Sequence, residues 1–274
     1  MSDGMEGTVE GVVAPLADAL AAAHRGGAAV APVSALSLDQ GYAVQARVFA
    51  QRGTPRAGYK LAATSPGGRI ALGVDAPLVG LVGAADLIAS GAPVPIPPRP
   101  LYAEAELVLR IGVDLPPVPE PAAEGLLARL AEVVDGVFAG IELCSSRFAN
   151  DDLAADALVA DNCLLHALVL GERLAARWDE RLADCPVQLW QGETIWAEGA
   201  TALAYGHPLK ALAWLAGWLG RQGQGLRAGD WVATGSATGI TPVAPDRPVG
   251  ARFGAFGGVT AQIGLHEKDE GEAK

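Results

Sequence analysis

The sequence predicts an α+β fold, with a small helical N-terminal lobe ahead of a larger, mainly β body that carries embedded helices. Two observations predict it. Apolar residues follow helical spacing as far as about Gln51, and beyond Gly53 short β-like runs alternate with Gly and Pro punctuation. A chain of 274 residues, half of them apolar, has ample core for one large domain or two modest ones. No internal repeat or long linker divides it. The expected units are a lobe at 1–53, a body at 54–265 and a frayed tail at 266–274.

Taken in order, Thr8 to Arg25 is alanine-rich and helical and stops at Gly26-Gly27. At Ser37 the run SLDQ fits a capping box that opens a second helix to about Gln51. The β-like runs follow: AGYKLAAT, PVPIPP, EAELVLRIG, FAGIELC, HALVLG, VQLW, TIWAEG, DWVAT and ARFGAF. Two helices interrupt them. Pro121 to Val134 carries Leu126, Leu127, Leu130 and Val133 at helical spacing. Pro208 to Arg221 begins with proline in its first turn and stripes Leu209, Leu212, Leu215 and Leu219. Trp214 and Trp218, four residues apart on that helix, read as packing.

A net charge of -11 argues against a nucleic-acid or anionic-membrane partner. It leaves room for an anionic substrate, because a bound divalent cation reverses the local field. Cys144, Cys163 and Cys185 are far apart and form no CxxC, so neither a disulfide framework nor a zinc cluster is expected. Cys144 reads as a buried, inert thiol. The acidic start MSDGMEG lacks the layout of a signal peptide, and no uninterrupted apolar run matches a bilayer span; a cytoplasmic protein is expected.

The chemistry concentrates in LYAEAELVLRIG. On a strand Glu104 and Glu106 share one face, with Cα atoms roughly 6.5–7 Å apart, while Ala103, Ala105, Leu107, Leu109 and Ile111 form the other. A solvated outer face would explain the pair alone. A third acid, Glu142, stands in apolar company in VFAGIELC. Three carboxylates on two apolar strands make an oxygen-ligand set for Mg²⁺ or Mn²⁺ with positions left for substrate. Lys60, alone among small and apolar residues in GYKLAATSP, either snorkels to water or serves that set as proton carrier or anion clamp.

GYKLAATSP, LGVDAPLVG, AEAELVL, IELCSSR, VADN, GHPLKALAWLA and LRAGDWVATGSATGITPV occur in this order. The array resembles the 2-keto-4-pentenoate (2-hydroxypenta-2,4-dienoate) hydratase and 4-oxalocrotonate decarboxylase family of the fumarylacetoacetase superfamily, from about Ala43 to Ile263. The resemblance implies a rolled-sheet body, a divalent-metal site and homo-oligomers. It matches Glu104, Glu106 and Glu142 to the metal-binding acids, Lys60 to the catalytic lysine and Asp75 to an acid near the reacting carbons. Ser236 falls where the family's loop holds the substrate carboxylate. Asp161 and Asn162 match a supporting element, and His207-Pro208 a structural helix start. The chain departs from the family at Ala62, at FANDDLAADAL, at Lys210 and in TGSATGITPV.

The implied activity is a hydro-lyase that adds water to a small 2-hydroxy-2,4-dienoic acid through a metal-stabilised enolate, giving a 4-hydroxy-2-oxo acid. Lys60 and Asp75 would move the protons. The alternatives are a decarboxylase of the 4-oxalocrotonate type, C–C bond hydrolysis, and a non-catalytic partner subunit. Hydrolysis lacks a convincing His–Glu pair, and the intact acids and Lys60 oppose the subunit. Hydration is preferred because Lys60 and Arg147 are the only good cations to hold substrate, and Arg147 either binds it or pairs with Asp161 as scaffold.

Overall fold

The computed structural model describes residues 3–33, 36–118, 125–150, 152–244 and 247–264. The expected tail, the Pro121 start of the third predicted helix, and Asp151 lie outside these residues. The chain opens with helices α1 (Asp3–His24) and α2 (Leu38–Arg52), then strand β1 (Arg56–Ala62) and the short helix α3 (Pro66–Leu72). Strands β2 (Leu78–Gly83), β3 (Leu87–Ala89), β4 (Pro93–Val94) and β5 (Tyr102–Ile111) follow, then α4 (Leu126–Val133), β6 (Val134–Cys144) and α5 (Ala155–Ala160). Next come β7 (Leu165–Ala175), β8 (Pro186–Gln191), β9 (Thr194–Ala200) and α6 (Pro208–Gly220). The body closes with β10 (Trp231–Ser236), β11 (Thr241–Pro242), β12 (Val249–Phe253) and β13 (Gly257–Ile263).

The strands form two sheets. The larger runs β2-β1-β10-β5-β6-β7-β3 with β11 added beside β5, and the smaller runs β4-β13-β12-β8-β9. The apolar face of β5 (Ala103, Ala105, Leu107, Leu109, Ile111) joins Ile141 and Leu143 of β6 in the main core. Leu189, Phe253 and Val259 close that core from the smaller sheet, and Leu209, Leu212 and Leu215 close it from α6. The other face of the large sheet carries a small apolar cluster of Val82, Val108, Leu168 and Ala233. The acids of β5 and β6 share this second face.

Local chemistry explains the element ends. Ser37 accepts the Gln40 N–H while the Gln40 side chain returns to the Ser37 N–H, closing the capping box of α2. Gly53 ends that helix in the left-handed conformation. Pro208 sits in the first turn of α6, where a missing N–H costs nothing, and His207 Nδ1 accepts the Leu209 N–H. The two helices of the lobe bury Leu16, Leu20, Val44 and Val48, but Phe148, Leu153, Ala157 and Ala160 share that cluster. Lobe and body thus have a common core at their junction.

Several expectations are corrected. Leu127 is 38% exposed while Leu126, Leu130 and Val133 are buried, because an eight-residue helix presents only a narrow stripe to the core. PVPIPP supplies only the two-residue β4, since its prolines cannot donate to a ladder. Strands β2 and β13 fall in LVGLVG and GGVTAQI, runs that the strand reading passed over. Trp214 and Trp218 pack on the main core, Trp218 with its ring centroid 5.3 Å from that of Tyr42.

Candidate metal centre

Register brings the acids together. Glu104 faces Glu142 directly across the β5–β6 pair, and Glu106 faces Gly140. Lys60 pairs with Ala233 on β10, which pairs with Val108 on β5, so the lysine reaches the acid face from two strands away. Glu106 and Glu142 are wholly buried, Lys60 is 2% exposed, and Glu104 is only partly buried.

Lys60 is held firmly. Its Nζ lies 2.7 Å from Glu142 Oε1 and donates to the Cys163 carbonyl at 2.8 Å. The stem fits because its partner on β2 is Gly80, where an added Cβ would come within 2.9 Å of Lys60 Cγ and Cδ. The accepting carbonyl belongs to a run of left-handed residues, Asn162, Cys163 and Leu164, with φ of 52°, 50° and 66°. Such backbone is costly for non-glycine residues and persists where surrounding contacts hold it. Here Asn162 Oδ1 accepts the Leu81 N–H and Asn162 Nδ2 donates to the Leu81 carbonyl.

Glu106 Oε2 accepts the Gly235 N–H at 2.9 Å. Gly235 has φ 108°, and a Cβ there would meet Thr64 Oγ1 at 2.2 Å, so only glycine can bring that amide to the carboxylate. One residue further, the Ser236 hydroxyl accepts the Gly239 N–H at 2.8 Å and hydrogen-bonds to Glu104.

The charges do not balance. Burial, reinforced by Glu142, pushes the Glu104 carboxyl up to about 7, with Lys60 and Ser236 opposing. Burial and the two neighbouring carboxylates raise Glu106 well above the usual range. Lys60 is pulled down by burial but pushed further up by Glu142, and the net effect holds its proton. Glu106 Oε1 and Glu142 Oε2 are buried with no hydrogen-bond partner among the described residues. Unpaired buried carboxylate oxygens are expensive. A hard divalent cation would satisfy them, so this oxygen-rich, anion-excess donor set fits such an ion.

Cys144 also belongs to this cluster. Its Sγ lies 3.4 Å from Glu142 Oε1, and Glu104, Glu142 and Cys144 offer ligand atoms within 4.8 Å of one another. Burial, and then Glu142, push the Cys144 thiol well above its usual range, in keeping with the buried inert thiol expected; it lies on the acid face because it stands two residues along the strand from Glu142.

The other anticipated residues divide. Arg147 Nη1 donates to the Ser145 carbonyl, Nη2 donates to the Leu165 carbonyl, and Nη1 lies 3.5 Å from Asp161 Oδ1. Asp161 Oδ2 accepts the Arg147 N–H at 2.7 Å. Arg147 and Asp161 thus form a buried pair, the scaffold alternative of the two left open for Arg147. Asp75 lies exposed on the turn between Gly73, which caps α3, and β2, apart from the buried acids.

Comparison with known proteins agrees with this architecture. Residues 68–264 match the family model of the fumarylacetoacetate (FAA) hydrolase C-terminal domain. The chain is 34% identical over 208 residues to a 2-keto-4-pentenoate hydratase of Burkholderia vietnamiensis, covering 74% of this chain and 76% of that protein. It is 32% identical over 263 residues to the TodF product hydratase of Pseudomonas putida, covering 92% and 95%. It superposes with a TM-score of 0.83 at 26% identity on 4-oxalocrotonate decarboxylase from Pseudomonas putida G7, complexed with magnesium and adipate, over 91% of this chain and 96% of that one. The domain match, spanning the acid-bearing strands, leads to one conclusion: the chain belongs to the fumarylacetoacetate hydrolase family.

Proposed function

We propose that this protein is a divalent-metal-dependent hydratase that adds water to a small 2-hydroxy-2,4-dienoic acid and yields a 4-hydroxy-2-oxo acid. The observation that carries the reading is the pair of unpartnered buried carboxylate oxygens, on Glu106 and Glu142, beside a fully engaged Lys60. The hydratase relatives supply the substrate class. Glu104, Glu106 and Glu142 would hold the cation, Mg²⁺ or Mn²⁺. When bound, the ion supplies Lewis acidity toward a 2-oxygenated carboxylate.

The chain's own residues do the rest. Lys60 keeps its proton between Glu142 and the Cys163 carbonyl, and so can deliver it to a substrate carbon and recover it. Glu104, the most open of the acids and pushed up to about 7 without metal, would give up its proton as the cation binds. The Ser236 hydroxyl hydrogen-bonds to Glu104 and would also hold the substrate carboxylate. Arg147 and Asp161 hold the strand ends that carry Glu142 and Cys144. A homo-oligomer working in the cytoplasm completes the proposal.

Decarboxylation is the second reading, favoured by the decarboxylase structure that overlays most of the chain. Hydration is preferred because Arg147 is already occupied, leaving Lys60 as the cation in ion-pair contact with these acids among the described residues. The test is to incubate Mg²⁺- or Mn²⁺-loaded protein with 2-hydroxypenta-2,4-dienoate and with its dicarboxylic counterpart, and to identify products by mass. The expected result is a product 18 mass units heavier from the monocarboxylate. Rapid CO₂ release from the dicarboxylate, with no hydrated product from the monocarboxylate, would overturn it.

A further inference from the structure

A cavity of about 400 Å³ opens between the C-terminal ends of α1 and α2, the loop after β4 and the segment after β6. Its volume falls in the range of about 300–1,000 Å³ common to small-molecule sites. Four guanidinium groups line it, from Arg25, Arg52, Arg99 and Arg147, and no carboxylate does. Asp86 neutralises Arg52 and Asp161 neutralises Arg147. Arg25 and Arg99 meet no carboxylate among the described residues. Two helix C-termini offset them by roughly half a charge each. An excess of about one positive charge remains, which calls for a monoanion.

The donors point the same way. Ser145, 2% exposed, lines the cavity with its hydroxyl oxygen unpartnered. Arg99 donates through Nη2 to the Gly27 carbonyl, yet its buried Nε has no acceptor. His24 Nε2 is likewise buried and unpartnered. Burial, and then the Arg147 and Arg52 guanidiniums, push the His24 imidazole down to about 2, so it lines the cavity as a neutral group. One stretch of the wall is apolar, built from Pro95, Ile96, Pro97 and Pro98, while Gln51 and His166, the latter hydrogen-bonded to the Pro95 carbonyl, complete the lining.

From this geometry we infer that the cavity is a binding site, separate from the acid cluster, for a small monocarboxylate with an apolar body. The carboxylate head accepts from Arg99 Nε and the Ser145 hydroxyl, with Arg25 supplying charge, and the apolar body lies on the proline-rich wall. Ser145 directly follows Cys144, so the site abuts the strand end that carries Glu142.

Benzoate is the probe. Titration by calorimetry into metal-loaded protein, and into the same protein after chelation, should show one benzoate site that survives metal removal. Arg99→Ala should weaken it by about tenfold or more, as expected for loss of a charge-assisted hydrogen bond. Because Arg99 also ties down Gly27, the exposed Arg25→Ala serves as a second variant, with a smaller loss and an unchanged fold. Neutral benzyl alcohol should bind far more weakly, and inorganic phosphate should displace benzoate poorly because it lacks an apolar body. No benzoate binding, binding that disappears with the metal, or affinity unchanged in both variants would overturn the inference. Phosphate competing as well as benzoate would overturn the assigned ligand class.

Discussion

Two buried charge clusters flank the end of β6, and they are built on opposite principles. Arg147 and Asp161 match one cation to one anion: Asp161 Oδ1 makes no hydrogen bond but lies 3.5 Å from Arg147 Nη1, and their other hydrogen bonds go to backbone. Glu104, Glu106 and Glu142 set three carboxylates against one lysine, Lys60, among the described residues and leave oxygens of both Glu106 and Glu142 without a hydrogen-bond partner there. Burial depth does not separate these clusters, since both lie inside the protein. Charge balance does. A closed pair holds a chain in place, while an open, anion-rich set costs stability that a bound cation can restore.

The contrast can be broken most severely at the balanced pair. Asp161→Ala leaves Arg147 buried without its counter-ion and should destabilise the protein by about 3–5 kcal/mol in chemical denaturation. A loss below 1 kcal/mol would show that the pair does not hold the strand ends. Lys60→Met, which keeps the stem volume, should lower kcat by about 10²–10⁴ with metal affinity retained, as for a lost proton carrier. Near-normal turnover would reduce Lys60 to a counter-ion.

The open cluster should also respond to pH. The Glu104 carboxyl rises from 4.5 to about 7 in the folded state, so between these values the folded protein binds more protons than the unfolded one. Metal-free protein should therefore lose stability as pH rises from 4.5 to about 7, and then level off. Metal affinity should climb over the same window, because the ion competes with that proton. Denaturation midpoints and metal titrations at several pH values check both signs; flat profiles would mean that Glu104 is already ionised without metal.

The smallest effect is the most discriminating. Glu106→Gln should abolish most Mg²⁺ or Mn²⁺ binding, yet slightly stabilise the metal-free protein by removing one of three mutually repelling carboxylates. A truncation in the balanced pair has the opposite sign. Metal affinity unchanged in Glu106→Gln would exclude it as a ligand.

Much of this was legible from residue order. Glu104 and Glu106 share a face because strand side chains alternate, whatever lies around them. The capping box at Ser37 and the proline in the first turn of α6 are local devices, readable from a few residues. Strands β2 and β13 were harder, because glycine-rich runs take their strand character from their partners. Leu127 was misread because periodicity gives a stripe but not its width.

The site divides in the same way. The sequence by itself determined the acid face of β5, the isolation of Lys60 and the family resemblance, since these depend on local geometry and residue identity. Only the tertiary structure decided that Glu142 stands opposite Glu104, that Cys144 joins them and that Arg147 closes on Asp161. It alone left Asp75 on an exposed turn. The reason is physical: register and burial are set by pairings between segments distant along the chain, and the electrostatic balance of a buried cluster exists only after those pairings form.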